Sequence, residues 1–158
     1  MRIGFGYDLH RFTSGKSITL GGLNIPFDKG LKAHSDGDVL IHAVIDSLLG
    51  ALALGDIGKF FPDNDKSNKD RSSRSMLQIV KKLVDKAGYK ISNVDATIIT
   101  EYPKMAPFIF EMRTNIANDL DLEVDCISVK ATTNEKIGAI GKEEGIAVHS
   151  VCLVQKRV

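Results

Sequence analysis

At 158 residues the chain is long enough for one domain with a packed core and too short for two comfortable ones. Hydrophobic residues at 43% and charged residues at 26% exclude a disordered chain, and 21 Lys plus Arg against 20 Asp plus Glu leave no basic excess for a nucleic-acid partner. A phosphate ligand stays open, since a specific phosphate site needs only a few local donors. The first residues lack the apolar stretch of a secretory signal, and no run approaches transmembrane length. Cys126 and Cys152 sit in strand-like segments and read as buried, reduced thiols. A cytoplasmic protein with a single domain over residues 1–158 is expected.

Residues 2 to 12 alternate as a strand: Ile3, Phe5, Tyr7 and Leu9 on one face, Gly4, Gly6, Asp8 and His10 on the other. A stretch around Ser17 to Leu20 runs into Gly21-Gly22, which suggests a hairpin. Residues 28 to 37 read as a polar connection ending in helix-capping residues. Asp38 to Leu54 follow a helical pattern, and Gly55 suits its C-terminus. A long polar stretch from Asp56 to about Arg74 comes next, of the kind that is functional or disordered. Met76 to Ala87 is a second helix, Ile91 to Thr100 a strand, and Pro103 and Pro107 bracket the start of a third helix carrying Ile109, Met112 and Ile116. Residues 126–133 and 146–156 make two more strands. Strands alternating with helices predict an α/β chain of the α+β type: a mixed sheet of four to five strands with helices packed on one face.

The sharpest local feature is Asp8-Leu9-His10. Spacing i, i+2 sets a carboxylate and an imidazole on one face, roughly 7 Å apart at the backbone, and two such side chains can converge on one ion at about 2.0–2.2 Å. Gly4 and Gly6 leave space beside them. Taken alone, D-x-H also suits a polar pair at a strand end. His42 strengthens the ligand reading, because it lies in an otherwise apolar helix with Asp38 and Asp46 one turn away on either side. A buried imidazole flanked by carboxylates suits a metal ligand oriented by a neighbouring acid. Three protein ligands leave the fourth position that a catalytic zinc site keeps open.

Two more polar clusters stand out. His34-Ser35-Asp36-Gly37-Asp38 precedes this helix and reads as N-capping or as a phosphate site. Lys130 to Gly138 is a strand end passing into a turn, where hydroxyls, backbone amides and a carboxylate could bind phosphate and a hard cation, or form an ordinary exposed turn. Neither cysteine has an evident base and no G-x-S-x-G elbow occurs, so an attacking group would come from water or the substrate.

Together these segments resemble the 2-C-methyl-D-erythritol 2,4-cyclodiphosphate synthase family of the non-mevalonate (MEP) route to isoprenoids and terpenoids. The likeness spans the chain in order: R-I-G-F-G-Y-D-L-H, K-G-L-K-A-H-S-D-G-D-V-L-I-H-A, A-L-G-D-I-G-K-F-F-P-D-N-D, P-K-M-A-P, V-K-A-T-T-N-E-K-I-G and G-K-E-E-G-I-A. The resemblance implies a lyase that closes a cyclic diphosphate and expels CMP, the substrate's own 2-phosphate attacking its β-phosphate. It implies Asp8, His10 and His42 as zinc ligands, with Asp8 and His10 also against substrate, and Glu135 holding a Mg²⁺ or Mn²⁺ shared with the diphosphate. His34 and Thr133 match transition-state stabilisers, and Ser35 lies beside the methylerythritol phosphate. Asp56, Ile57, Gly58, Phe61, Pro62, Asp63, Asn64 and Asp65 match further substrate positions. Thr100 to Ala106, among them Pro103, Lys104 and Met105, match the cytidine pocket together with Thr132. The resemblance also implies a homotrimer with sites at the subunit interfaces, no nucleic-acid partner and no membrane. No transferase segment precedes Met1, so a single reaction step is expected.

Three substrate-side positions depart from the family pattern. Asn134 stands where a small hydroxyl residue is common, Ala139 replaces an aromatic residue and Lys142 an arginine. The resemblance places Ala139 and Lys142 toward the three-fold axis, where an apolar channel takes isoprenoid diphosphates in some members; weak binding of such a lipid is expected here. A mononuclear metal phosphoesterase and a non-catalytic, nucleotide-binding trimeric module remain as alternatives.

Overall fold

Period-two alternation carries the first strand well past the roughly five or six residues of an average strand. In the computed structural model, which describes residues 1–62, 64, 65, 68 and 71–157, β1 runs Arg2–Ser14. A hairpin follows, β2 (Ser17–Leu20) and β3 (Leu23–Pro26), then β4 (Lys29–Leu31). Helix α1 (Val39–Ala51) leads to a short α2 (Ile57–Phe60), α3 (Ser73–Lys86), β5 (Tyr89–Ile99) and α4 (Ile109–Leu120). A 3-10 turn at Val124–Cys126, β6 (Ile127–Thr132), a short α5 (Gly138–Gly141) and β7 (Gly145–Lys156) complete it. The main sheet has order β4-β1-β7-β5-β6, with β2 and β3 forming a separate ribbon. Among these pairs β5 and β6 are parallel and the rest antiparallel.

The mixed sheet and the main helices fall where the sequence places them, with a few differences of physical interest. The mixed character comes from the parallel β5–α4–β6 crossover, whereas the hairpin forms its own ribbon. Its turn needs two left-handed residues, and Gly21 (φ 59°) and Gly22 (φ 73°) supply them. The expected connection at residues 28–37 contains β4, three residues too short to show a period, paired as Phe12↔Leu31. The polar stretch after Gly55 opens with α2, capped by the Asp56 carboxylate accepting from the Lys59 amide.

The sheet's two faces differ. Helices cover one, burying Val94, Ala96 and Ile98 of β5 and Ile146 and Val148 of β7 in one core with Leu40, Val44 and Leu48 of α1. Against β1 that helix packs on glycine. A Cβ added to Gly4 would stand 1.7 Å from the Ser47 carbonyl oxygen, and one added to Gly6 2.0 Å from that of Ala43. The space expected beside Asp8 and His10 is therefore filled by the α1 backbone. On the other face Ile3, Phe5, Tyr7 and Leu9 are exposed, with Val151 across from Phe5 and His149 stacked between Phe5 and Tyr7. No helix among the described residues is long and apolar enough to cross a membrane.

Candidate metal centre and its two clefts

The glycine contact brings α1 onto β1 so that His42 meets the strand just beyond Gly6. Asp8 Oδ2 lies 3.0 Å from His42 Nδ1 and 3.0 Å from His10 Nε2. One ligand atom from each of Asp8, His10 and His42 can be chosen so that all lie within 4.8 Å of one another. Burial works to raise the Asp8 carboxyl, but the two imidazoles outweigh it and hold the group well below the usual carboxylate range. Burial likewise works to lower His42, and the Asp8 carboxylate reverses that and leaves it raised.

This donor set fits a cation. One carboxylate and two imidazoles are a zinc-type set, and donors bonded at about 2.0–2.2 Å stand within about 4 Å of each other. The observed spread closes with small side-chain movements. The hydrogen bonds behind His42 point the same way. Its Nε2 lies 2.8 Å from Ser73 Oγ, and that hydroxyl in turn donates to Asp36. A hydroxyl committed to a carboxylate accepts from Nε2–H, which leaves the Nδ1 lone pair facing Asp8 and the site. His10 Nδ1 is buried without a protein partner.

The acids expected to orient His42 do other work. Asp38 is the helix N-cap; its carboxylate accepts from the Ile41, Gly21 and Gly22 amides at 3.0, 2.9 and 2.7 Å, tying the hairpin turn to α1. Asp46 accepts from the Ile57 amide at 2.7 Å and so fixes the start of α2. Burial raises both carboxyls, against those amide bonds. Asp36, read from sequence as a cap, supplies the support instead, through Ser73.

A cleft of about 670 Å³ opens over the centre. Asp8, His10 and His42 lie on its wall with His34 and Ser35, and Ile57, Gly58, Phe61, Pro62 and Asn64 close the far side. Lys32, Asn68 and Met76 also line it and were not anticipated. Asp56 is the α2 cap and Asp65 is exposed; neither lines the cleft. Asp63 falls outside the described residues.

A second cleft, about 260 Å³, gathers Thr100, Pro103, Lys104, Met105, Ala106, Thr132 and Thr133. It shares no lining residue with the first, so His34 and Thr133 stand on separate clefts of one chain. Beside it Thr133 Oγ1 donates to Glu135 Oε1 at 2.8 Å. Four amides of the turn are already paired: those of Asn134 and Lys136 donate to Glu101, that of Glu135 to Thr133 Oγ1 and that of Ile137 to the Asn134 carbonyl. The Asn134 side chain also turns inward, donating to the Ile137 carbonyl at 2.7 Å. Ala139 lines a smaller cavity of about 170 Å³ with Leu9 and Arg11, and Lys142 is the exposed residue that closes α5.

The YgbB family model matches residues 1–155. The chain belongs to this family. A curated relative from Ectopseudomonas mendocina, named 2-C-methyl-D-erythritol 2,4-cyclodiphosphate synthase, is 61% identical over 156 residues, 99% of either chain. Among solved structures, a synthase from Plasmodium falciparum in complex with CDP superposes with a TM-score of 0.87 at 36% identity, covering 99% of this chain and 97% of that one. The bifunctional IspDF of Campylobacter jejuni gives 0.89 at 42% identity; the match covers 98% of this chain, which spans 42% of that longer one.

Within this YgbB-family chain, sequence reasoning left out Ser73 and gave Glu101 no role beyond its place in the Thr100 to Ala106 segment. Ser73 opens α3, where a serine reads as a cap, yet its hydroxyl serves His42 and Asp36 while Ser72 takes the cap position. Glu101 is buried. A carboxylate immediately after an apolar strand was the available signal, since such a group needs a partner.

Proposed function

We propose that this chain converts 4-diphosphocytidyl-2-C-methyl-D-erythritol 2-phosphate into 2-C-methyl-D-erythritol 2,4-cyclodiphosphate and CMP. The observation that carries the mechanism is the convergence of Asp8, His10 and His42 within 4.8 Å on the wall of an open cleft. These residues would hold a zinc-type ion, which when bound supplies Lewis-acid polarisation of a phosphoryl oxygen. No protein nucleophile is required, because the 2-phosphate attacks the β-phosphorus and CMP leaves. The protein positions the two phosphates and balances their charge, the main contributions in phosphoryl transfer.

His34 would help stabilise the transition state and Ser35 would hold the methylerythritol end, with Ile57, Gly58, Phe61, Pro62 and Asn64 around it. Thr100, Pro103, Lys104, Met105 and Ala106 would take cytidine beside Thr132. Thr133 would stabilise the pentavalent phosphorus, and Glu135 would hold a Mg²⁺ or Mn²⁺ against the diphosphate, with Asn134 shaping the turn. Ala139 and Lys142 would lie toward a three-fold axis. A homotrimer reconciles the two clefts, the second of one subunit facing the first of its neighbour. The exposed stripe of Ile3, Phe5, Tyr7 and Leu9 supports this, because apolar surface of that extent marks an interaction face. Such an enzyme would act in the cytoplasm.

The test is incubation of purified protein with the cytidine-diphosphate substrate and Mg²⁺. CMP and cyclic diphosphate in equal amounts are expected. Linear hydrolysis products would replace this reading with a phosphoesterase, and binding without turnover would reduce it to a nucleotide-binding module.

A further inference from the structure

The turn from Thr133 to Ile137 is held by one buried side chain outside it. Glu101 directly follows Thr100 at the end of β5 and is 8% exposed. Its Oε1 accepts from the Asn134 amide at 2.9 Å and from the Lys136 amide at 3.1 Å. Between those donors lies Glu135. Glu135 and Lys136 both have left-handed backbones, φ 51° and 60°, a region that such residues occupy only when their surroundings hold them there. Converging amides in a left-handed turn form an anion-binding concavity, and here the anion belongs to the protein. Glu101 does not line the 260 Å³ cleft, whereas Thr100 and Pro103 on either side of it do. The same segment is joined to β6 by the Thr100 amide donating to the Thr132 carbonyl at 3.0 Å.

We propose that Glu101 is a positioning residue that fixes the Thr133–Glu135 turn and couples occupancy of the neighbouring nucleotide cleft to the presentation of Glu135. The proposal rests on the reading of Glu135 as the holder of a second divalent ion and of residues 100–106 as nucleotide contacts. A single oxygen takes both amides, so the role needs an acceptor at the right reach and not a charge. It follows that Gln can replace Glu101, whereas Asp, one methylene shorter, cannot reach both donors and Ala leaves them unpaired.

The experiment compares Glu101→Ala, Glu101→Asp and Glu101→Gln with the parental, zinc-loaded protein. It reads amide hydrogen exchange at residues 134–137, Mn²⁺ affinity, CDP affinity, kcat and KM. Glu101→Ala should speed exchange in the turn and lower both kcat and Mn²⁺ affinity roughly tenfold, the loss of a buried acceptor shared by two donors. Zinc content should hold, and CDP affinity should fall only by the factor that the lost coupling is worth. CDP should slow exchange in the turn of the parental protein and fail to do so in Glu101→Ala. Glu101→Asp should side with Ala, and Glu101→Gln with the parent. Parental exchange and kcat in both Ala and Asp, or a Gln variant as impaired as Ala, would overturn the proposal. Glu135→Gln serves as the separate check: unchanged Mn²⁺ affinity there would remove the metal reading of the turn, while the exchange data still decide whether Glu101 holds it.

Discussion

The candidate metal centre and the Thr133–Ile137 turn are both polar sites, but they are held by different means. Asp8, His10 and His42 ride on a long strand and a buried helix whose backbones touch through Gly4 and Gly6, so their placement is inherited from the core. The turn follows the end of β6 and is held mainly by side chains bonding its amides. The placement of the first kind of site is costly to disturb, because moving its backbones moves the core; the second can lose function while stability hardly changes.

The hardest break in that comparison is Gly6→Ala. Its methyl group would stand 2.0 Å from the Ala43 carbonyl oxygen, and neither backbone can yield without moving α1 off the sheet. A loss of at least about 3 kcal/mol is expected in urea unfolding, near the upper end for overpacked sites, together with loss of bound zinc. Normal zinc content would show that the centre does not depend on this contact.

Ser73→Ala sharpens the contrast by acting on the centre without touching the packing of α1 on β1. It removes the group 2.8 Å from His42 Nε2, and zinc affinity, read by chelator competition, should drop roughly tenfold to a hundredfold, as such supporting residues do. Circular dichroism should stay unchanged.

Acidity separates the metal-free and loaded forms. His42 is raised above its ordinary 6.5, so its contribution is complete below that pH and is lost as pH rises through the folded value. Asp8 is depressed below 3.8, so its contribution is present above that pH and lost only in strong acid. Metal-free protein should therefore lose a few degrees of Tm from pH 6.5 upward on this account, while the increment in Tm from added zinc grows, because zinc binds the imidazole only after its proton leaves. A zinc increment independent of pH over that range would contradict the assignment of His42 as a ligand.

The smallest effect on stability belongs to the turn. Thr133→Ala deletes two exposed hydrogen bonds with Glu135 and should cost less than about 1 kcal/mol of folding free energy, yet reduce turnover sharply. Equal, small changes in both would place Thr133 outside the chemistry.

Much of the fold was legible because its signals are local. Alternation marked β1, the apolar helical face marked α1, and Gly21-Gly22 marked the hairpin. The clustering of Asp8, His10 and His42 was legible for a related reason: residues two apart on a strand share a face, and a histidine in an apolar helix has to be buried. What the sequence hid depends on partners far along the chain. Spacing placed Asp38 and Asp46 on the stripe of His42 but could not show that the amides of Gly21, Gly22 and Ile57 claim those carboxylates. The glycines of β1 looked like empty space because the helix that fills it lies some forty residues later. The bonding role of Glu101 was invisible for the same reason, its donors being 33 and 35 residues away.

The uncovered stripe of Ile3, Phe5, Tyr7 and Leu9 has a consequence for handling the enzyme. In the proposed trimer, copies of the same chain shield that stripe, so catalytic competence becomes a matter of mass action. Dilution would then lower the rate per chain, and a polar substitution at Phe5 would yield a folded, soluble but idle protein.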